Sequence, residues 1–283
     1  MAGAKGRSSS GAGDPARTLE LLWRDGSAAP AGRRGPRQGL TVDAVVDAAL
    51  ALADAGGLDA LTMRAVAQHL GVTPMTLYTY VPGKAELLDL MLDAVFLRMG
   101  RPPFRPEESW RSRVTAVADA NRALHLGHPW LVELRIVRAP LGPGVMNKYE
   151  YELGAFEGLG LDDVARDSAL TYVLGFVQAG ARAELDARAE ERESAMSDGE
   201  WWEAHEPLLA RALDETRFPL ASRVGEAAAV AYDGLYDADH AYRFGLERVL
   251  DGLAALAGTR SGRDAGEGEG GVGGGRGAAG RSC

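Results

Sequence analysis

The sequence of 283 residues predicts an all-α fold, in which an N-terminal three-helix unit with a helix-turn-helix precedes a larger helical domain. The segment 61–83, LTMRAVAQHLGVTPMTLYTYVPG, reads as two short helices joined by a tight turn. Apolar residues recur at helical spacing in 42–53 before it and in 87–99 after it. Further segments with this spacing occupy the chain from about 109 to 256, which predicts the second domain.

Capping and turn residues set the bounds of the first two predicted helices. Thr41 is an N-cap for a helix that Gly56 and Gly57 close. Thr62 has the same role in the next helix, and Gly71 ends that helix because glycine adopts the left-handed conformation at little cost. The longer first helix is predicted to brace the two shorter ones.

The third predicted helix begins at Thr73 and Pro74, since proline at the first helical position gives up an N–H that has no partner there. It runs to about Tyr80, and Leu77 is its main inward residue. Its outward surface carries methyl, hydroxyl and aromatic groups, from Met75, Thr76, Tyr78, Thr79 and Tyr80. Such a surface suits the major groove of DNA, where hydroxyls donate hydrogen bonds and apolar groups contact the thymine methyl. Lys84 opens a fourth helix. The backbone at a helix N-terminus favours an anion, so the backbone and the Lys84 ammonium together predict a contact with a DNA phosphate.

In this order, a capped helix ending in Gly-Gly and then LTMRAVAQHLGVTPMTLYTYVPGKAELL resembles the DNA-binding domain of the TetR family of bacterial transcriptional regulators. The segment from Glu108 to about Leu256 resembles the ligand-binding domain of the Tet-repressor branch. The resemblance implies a homodimeric, sequence-specific transcriptional repressor that a small apolar ligand releases from a palindromic operator. The positions that it assigns to double-stranded DNA are Thr62, Arg64, Thr73, Pro74, Met75, Thr76, Tyr78, Thr79, Tyr80 and Lys84.

The net charge of −9 and the pI of about 5.2 differ from the basic balance typical of nucleic-acid binders. Residues 1–40 carry seven Lys or Arg against three acids, whereas residues 41–100 carry three against seven. DNA affinity is therefore expected to come from a few well-placed cations. Arg33, Arg34 and Arg37 precede the first helix of the three-helix unit; they either follow a DNA minor groove or form only a solubilising linker, and the sequence leaves both open.

Composition divides the chain into four predicted parts. Residues 1–40 are expected to form a disordered arm, with a transient turn of helix at 18–25 and basic residues near its end. Residues 41–100 form the helix-turn-helix domain with its connecting helix, 101–257 the ligand-binding and dimerisation domain, and 258–283 a disordered Gly-rich tail. Helices of the larger domain are predicted at 109–126, 129–138, 144–158, 162–189, 197–213, 224–233 and 237–256.

The ligand pocket is expected among aromatic and apolar residues of the larger domain, because ligand sites are mostly apolar with a few polar anchors. The candidates are Trp110, Trp130, Met146 and Phe176, and packing in the core is the alternative for each. The five histidines show no HExxH spacing. His125 and His128 lie three residues apart at a helix end, where contacts with the helix C-terminus are a more common explanation than metal binding, so neither a cofactor nor a metal is predicted. In the resembled branch a histidine helps hold a metal chelate; no histidine follows His128 in the corresponding segment, so an organic ligand is favoured.

Apolar stripes on two long helices predict a dimer interface. The last predicted helix carries a stripe at Leu246, Val249, Leu250, Leu253 and Leu256. The helix from Asp162 presents Leu170, Val173, Leu174, Phe176 and Val177. In the resembled family two such pairs form a four-helix interface, which would set the two recognition helices on successive turns of one DNA face. The alternative is that these helices only close the core of one chain.

Other features narrow the class of protein. No apolar run approaches the length of a membrane span, the first residues lack the apolar region of a signal peptide, and Cys283 is the only cysteine. We therefore expect a cytoplasmic protein. The alternative function is an all-helical enzyme or ligand-binding protein with an accessory helix-turn-helix. Catalysis needs a nucleophile with its base or two facing carboxylates, and because the sequence shows neither, no enzyme is predicted.

Overall fold

The computed structural model describes residues 9–11, 13–24, 39–136, 138–234 and 236–267. Within these ranges the chain is helical apart from turns, loops and one pair of two-residue strands, so the predicted all-α class is confirmed. None of the described helices is long and apolar enough to cross a membrane. The elements in chain order are β1 (Ser9–Ser10), α1 (Pro15–Leu22), α2 (Val42–Ala60), α3 (Met63–His69), α4 (Pro74–Tyr78), α5 (Lys84–Arg98), α6 (Trp110–Gly127), α7 (Trp130–Glu133), β2 (Arg135–Ile136), α8 (Pro143–Gly154), α9 (Asp163–Ser194), α10 (Asp198–Ala212), α11 (Pro219–Tyr232) and α12 (Ala238–Glu267).

Threonine caps position the helix-turn-helix as the sequence predicts. The side chains of Thr41, Thr62 and Thr73 accept hydrogen bonds from backbone N–H groups in the first turns of α2, α3 and α4. Gly71, with a φ of 67°, supplies the left-handed turn between α3 and α4. The backbone at 56–57 leaves helical geometry, so α2 is kinked where the sequence predicts its end.

Most buried apolar side chains of the described residues form two hydrophobic cores. The first core lies among α1, α2, α3, α4, α5 and α7, and the second lies among α6, α9, α12 and the loop after α8. Trp130, Leu131 and Leu134 follow the predicted domain boundary in sequence, yet they are buried in the first core. The start of the larger domain therefore helps to complete the core of the helix-turn-helix unit.

The structure differs from the predicted disordered arm over residues 1–40, because Pro15–Leu22 form α1. Asp14 caps this helix and accepts hydrogen bonds from two backbone N–H groups of its first turn. Leu21 and Leu22 are each 5% exposed and lie in the first core. The Gly and Ser content of the segment before α1 suggested disorder, whereas the two leucines and the cap stabilise a packed helix.

Helices α6 to α12 overlap the seven predicted segments, although α8 ends four residues early, α9 ends five residues late and α11 begins five residues early. Helix α7 is short because the backbone at Leu134 is extended and Arg135–Ile136 pair in parallel with β1. Helix α12 continues past Gly258 to Glu267, where the sequence predicts a disordered tail. Residues 268–283 lie outside the described residues.

The apolar stripe predicted to form a dimer interface is buried within the single chain. Four of its five α12 residues lie in the second core and are at most 7% exposed, namely Leu246, Val249, Leu250 and Leu253. Leu170, Val173 and Val177 of α9 lie in the same core. The fifth residue, Leu256, is 40% exposed. Periodicity identifies a buried face without showing what covers it, so this stripe closes the core of one chain and a dimer interface on these helices has to use other residues.

Candidate DNA-binding surface and regulatory core

Helix α4 presents most of its surface to solvent. Its buried side chain is Leu77, which is fully covered by the first core. Met75 is 76% exposed and Tyr78 is 46% exposed. The cap at Thr73 and the anchor at Leu77 therefore hold a short helix whose methyl, hydroxyl and aromatic groups can contact a partner.

The threonine hydroxyls of this surface contact one another and the backbone. The Oγ1 atoms of Thr73 and Thr76 lie 2.9 Å apart, and the Thr79 hydroxyl donates to the Thr76 carbonyl at 2.7 Å. Helix α4 ends at Tyr78, so the predicted end near Tyr80 is too late. Tyr80 is half-buried against the first core, which corrects its predicted place on the outward surface.

Two more of the predicted positions lie at the start of α3. Thr62 is exposed, and its hydroxyl accepts a hydrogen bond from the Ala65 N–H at 3.1 Å. Arg64 is exposed in the first turn, and within the described part of the chain no hydrogen bond or ion pair holds its guanidinium. An arginine in this state can extend to the edge of a guanine or to a phosphate.

Lys84 is the first residue of α5 and is half-buried. Its ammonium donates a hydrogen bond to the carbonyl of Leu58 at 3.1 Å. Burial lowers the pKa of Lys84, and the carboxylate of Asp59 opposes this shift. Because an ammonium has three donors, the bond to Leu58 leaves two for a phosphate beside the helix N-terminus.

The helix-turn-helix domain contains few cations. Residues 41–100 contain Arg64, Lys84 and Arg98, and the last of these forms an ion pair with Asp47 on α2. The arginines of the predicted basic arm, within 33–37, lie outside the described residues. The sequence-independent attraction to phosphates is therefore expected to be weak, so that recognition depends on the contacts of α4.

The four residues predicted to line the ligand pocket do not lie together. Trp110 is half-buried at the edge of the second core, Phe176 stacks on a tyrosine of α12, and Met146 is 45% exposed on α8. Trp130 is fully buried in the first core, where its indole N–H donates to Asp54 at 2.8 Å. Trp130 therefore joins α7 to α2 as a core residue, which corrects its assignment to the pocket.

A polar cluster, defined by Asn121 and His125 of α6 with Lys148 and Glu152 of α8, lies inside the larger domain. The Asn121 Nδ2 atom donates to Glu152 Oε1 at 2.6 Å, and Lys148 Nζ donates to Glu152 Oε2 at 2.7 Å. Asn121 is 2% exposed and Glu152 is 1% exposed. Lys148 also lies 5.0 Å from the centre of the Phe96 ring on α5.

His125 has an unpartnered atom in this cluster. Its buried Nδ1 has no hydrogen-bond partner among the described residues. Burial and the charge of Lys148 lower the pKa of His125 to about 4, so the ring is neutral at pH 7. Buried polar groups are costly in a core that only packs, and such groups concentrate at functional sites. The signal in the sequence is a pair of polar residues at i and i+4 in each helix, which a search for aromatic pocket residues misses.

Helix α8 begins directly against α5. The Asp93 carboxylate accepts hydrogen bonds from the N–H groups of Val145, at 2.9 Å, and of Gly144. A Cβ atom on Gly144 would lie 2.0 Å from the Asp93 carbonyl oxygen, so only glycine permits this approach. Burial raises the pKa of Asp93, whereas the two N–H donors and the charge of Arg24 lower it. The helix that carries half of the polar cluster is thereby attached to the helix that follows α4.

Two family models match consecutive parts of the chain. Residues 45–91 match the model described as bacterial regulatory proteins, tetR family. Residues 102–257, more than half of the chain, match the tetracyclin repressor-like C-terminal domain. The chain belongs to the TetR family. Its helix-turn-helix is the DNA-binding part of a transcriptional regulator.

Relatives of this TetR-family regulator match both parts. The HTH-type transcriptional repressor DrrR1 of Streptomyces coeruleorubidus is 42% identical over 256 residues, which cover 90% of this chain and 92% of the relative. The solved structure of apo ActR from Streptomyces coelicolor is 30% identical with a TM-score of 0.60, and the match covers 81% of this chain and all of ActR. ActR in complex with actinorhodin is 30% identical with a TM-score of 0.64, and covers 78% and 99% of the two chains. These findings support a ligand-responsive, DNA-binding repressor.

The larger domain of this TetR-family protein also contains an open cavity of about 650 Å³ between α9, α10 and the start of α12. Three aromatic residues line it together with several carboxylates, and the aromatic residues are Trp201, Tyr232 and Tyr236. Two of the carboxylates, Glu184 and Asp239, bind Arg122 of α6 at 2.6 and 2.5 Å. The open cavity shares no residue with the polar cluster.

Proposed function

We propose that this TetR-family protein is a homodimeric repressor that binds a palindromic operator through α4 and leaves it when an organic ligand binds the larger domain. The observation that carries the proposal is the surface of α4. Leu77 anchors this helix, while Met75 and Tyr78 are exposed beside a row of threonines. The major groove, roughly 12 Å wide, accommodates such a helix and offers thymine methyl groups to its apolar side chains.

The proposal assigns a DNA contact to several polar and apolar groups of the helix-turn-helix domain and of the arm before it. Arg64 reads a guanine edge, and Met75 contacts a thymine methyl group. Lys84 binds a phosphate at the N-terminus of α5, and exposed threonine hydroxyls bind further phosphates or bases. The arginines within 33–37 enter the adjacent minor groove. Because the cations are few, we expect the protein to discriminate strongly against non-specific DNA.

The proposed dimer uses the outward faces of α9 and α12. On α9 the exposed positions are spaced by three or four residues and include Val164, Ser168, Tyr172, Gly175 and Ala179. Tyr172 is 63% exposed, and on α12 Phe244 is 56% exposed. The small residues between these side chains permit two copies to approach closely. Operator binding requires that the two-fold axis at this face place the two α4 helices about 34 Å apart, or a multiple of that distance, on one side of the DNA.

The proposed ligand is an organic molecule that forms hydrogen bonds with the polar cluster and apolar contacts with neighbouring side chains. ActR, which is 30% identical to this chain, has been solved in complex with actinorhodin. His125 has a buried Nδ1 with no partner in the described chain, so it can exchange a hydrogen bond with a ligand. Glu152 would accept a second hydrogen bond, and Phe96, whose ring centre lies 5.0 Å from Lys148 Nζ, would supply an apolar contact.

Release of the operator requires that the ligand bind more tightly to a dimer in which the distance between the two α4 helices does not fit the DNA. Helix α8 carries Lys148 and Glu152, and its N-terminus is capped by Asp93 of α5. A ligand that displaces α8 therefore displaces the helix that follows α4. Suppose that about 99% of the dimers have the spacing that binds DNA and that the ligand must leave only about 1% in that state. The ligand must then bind the state that cannot bind DNA about 10⁴-fold more tightly than the other.

A gel-shift titration tests this proposal. Purified protein is mixed with DNA from around its own coding region, and a panel of aromatic organic compounds that includes actinorhodin is added with and without EDTA. We expect a shifted complex that at least one compound reverses to the same extent in both conditions. Failure of the protein to shift the DNA would contradict operator binding, and reversal that needs a divalent metal would contradict the organic-ligand mode.

Two variants locate the ligand. His125→Ala removes an anchor of the polar cluster and is expected to raise the concentration of compound needed for release. Trp201→Ala in the open cavity is the matched control and should leave this concentration unchanged. If Trp201→Ala alone changed the response, the ligand would bind the open cavity and the assignment to the polar cluster would be wrong.

A further inference from the structure

The segment 9–24, which the structure describes at 9–11 and 13–24, precedes both family-matched ranges, which begin at residues 45 and 102. It lies between α5 and the stretch that joins α7 to α8. On the side of the larger domain, Ser9–Ser10 pair in parallel with Arg135–Ile136. The indole N–H of Trp23 donates to the carbonyl of Leu141 at 2.7 Å. The segment is therefore attached at two places to the stretch that precedes α8.

The other side of this segment binds carboxylates of α5. The Gly11 N–H donates to Asp89 at 2.8 Å, and the Asp14 N–H donates to Glu86 at 3.1 Å. Glu86 is 8% exposed and Asp89 is 1% exposed. Together with Asp93 they form a row on one face of α5, spaced by three and four residues. Each of these carboxylates accepts a backbone N–H from outside the helix.

Apolar and ionic contacts fix the second half of the segment. Leu21 and Leu22 of α1 are buried in the first core. Arg24 forms an ion pair with Asp43 in the first turn of α2. Detaching the segment would expose these leucines and would leave the buried Asp89 without its donor from Gly11, and both changes are unfavourable. The segment is therefore a stable connection between the helix-turn-helix unit and the larger domain.

We propose that residues 9–24 are an interdomain clasp that fixes the orientation of the helix-turn-helix unit on the larger domain, with Trp23 as a positioning residue for operator binding. The inference rests on the proposed dimeric operator binding, because two recognition helices must match the spacing of two half-sites. Without the clasp each helix-turn-helix unit samples more orientations. Apparent operator affinity then falls in proportion to the fraction of dimers with the competent spacing.

The orientation can be measured as the distance between two spin labels in one chain. Gln68 on α3 and Ala116 on α6 are exposed, so Gln68→Cys and Ala116→Cys accept labels. Cys283→Ser removes the single natural cysteine. Labelled chains are diluted with unlabelled chains so that each dimer contains at most one labelled pair. The width of the distance distribution then reports how firmly the two parts are joined.

The protein with these three substitutions is the parent, and two clasp variants are compared with it. Trp23→Phe keeps an aromatic ring and removes the N–H donor to Leu141, and deletion of residues 1–24 removes the whole clasp. We expect a wider distance distribution in both. In unlabelled chains we expect the deletion to lower operator affinity about tenfold, because the fraction of dimers with the spacing that binds DNA falls by about that factor. We expect a smaller loss of affinity for Trp23→Phe. Trp201→Phe, in the open cavity, is the matched control and should behave as the parent.

The outcomes separate the clasp from the proposed function. Distance distributions as narrow as that of the parent, with unchanged operator affinity, would overturn the clasp. If the deletion fails to fold, Trp23→Phe decides alone, because it leaves the buried leucines in place. A parent protein that binds no DNA would contradict the proposed function, while the distance distributions would still decide whether the clasp orients the helix-turn-helix unit.

Discussion

The carboxylate of Asp93 accepts a hydrogen bond from the backbone N–H of Val145 at 2.9 Å, so that a residue of α5 caps the N-terminus of α8. The residue before α8 is Gly142, which has no side chain to cap the helix itself. A carboxylate at this position satisfies unpaired N–H groups and interacts favourably with the helix dipole. This contact couples the DNA-binding unit to the part of the larger domain that carries the polar cluster.

Variants of Asp93 should separate its charge from its role as an acceptor. Asp93→Ala leaves the Val145 N–H without an acceptor, and we expect a loss of roughly 1 to 3 kcal/mol in the free energy of unfolding. Asp93→Asn keeps an oxygen acceptor without a charge to bury, so at pH 7 it should be at least as stable as the parent. Chemical denaturation measures both variants, with the exposed Asp186→Asn as a control.

The raised pKa of Asp93 also gives a pH dependence with a definite sign. The folded state binds this proton more tightly than the unfolded chain. Asp93 therefore contributes most to stability at a pH below the pKa that it has in the unfolded chain. This contribution falls as the pH rises through the higher pKa that it has in the folded state. Asp93→Asn should remove this fall from the stability–pH profile. A variant profile that parallels the parent over this range would show that Asp93 is not its source.

Gly144→Ala should disrupt the contact between α8 and α5. The new Cβ would lie 2.0 Å from the Asp93 carbonyl oxygen, which is backbone and has little freedom to move. We expect a cost of about 1 to 3 kcal/mol, typical of overpacking, and a weaker response of DNA binding to ligand. Gly225→Ala on α11, where a Cβ meets nothing within 4 Å, is the matched control and should be neutral or stabilising. Equal stability of the two variants would contradict the close approach.

Substitutions of Lys148 and Glu152 should have strongly coupled effects on the free energy of unfolding. The charged atoms of this ion pair are 2.7 Å apart, and the two side chains are 9% and 2% exposed. Glu152→Gln leaves a buried ammonium unpaired, with an expected cost of about 3 to 5 kcal/mol. The double variant with Lys148→Met should cost much less than the sum of the single changes, as measured in a double-mutant cycle. Additive effects would show that the two groups do not interact.

Lys148→Met should also change the titration of His125. Burial and then the charge of Lys148 hold the pKa of His125 at about 4. Removing that charge should move the pKa upward, toward the ordinary value, while burial keeps it below that value. NMR titration of the imidazole carbon signals measures the change. A pKa that stays where it was would indicate that Lys148 does not act on His125.

Arg64 and Lys84 should affect DNA binding in different ways. Arg64→Ala is expected to cost roughly 1 to 3 kcal/mol and to relax the preference at one base pair, as loss of a bidentate guanine contact does. Lys84→Ala should weaken binding to all sequences alike and flatten the dependence on salt. Arg223→Ala on the exposed surface of α11 controls for loss of a cation. Affinity unchanged by Lys84→Ala at every salt concentration would exclude its phosphate contact.

The sequence predicts the helix-turn-helix well because its signals are local. The caps at Thr41, Thr62 and Thr73 and the turn at Gly71 each depend on a few neighbouring residues. The position of Trp130 is not predicted, because its burial depends on Asp54 and the first core, more than seventy residues away in sequence. The transient turn predicted at 18–25 is instead the packed helix α1, Pro15–Leu22, and its stability is not predicted for the same reason, since it depends on the long-range packing of Leu21 and Leu22.

In the larger domain, too, the sequence predicts local features but not the contacts between distant elements. Periodicity places Val249 and Leu253 on a buried face, but only the packed structure shows that α9 of the same chain covers them. The polar cluster requires that α6 and α8 lie side by side, which brings Asn121 to Glu152. Spacing within one helix does not contain that information.

A footprint of the full-length protein on DNA from around its own coding region tests the central claim most directly. The account predicts protection with two-fold symmetry, two protein chains per site, and half-sites centred about 34 Å apart or a multiple of that distance. Met75→Glu places a carboxylate on the exposed face of α4 without touching Leu77, and it should abolish protection. Protection without two-fold symmetry, or protection that persists unchanged in Met75→Glu, would contradict operator recognition by α4.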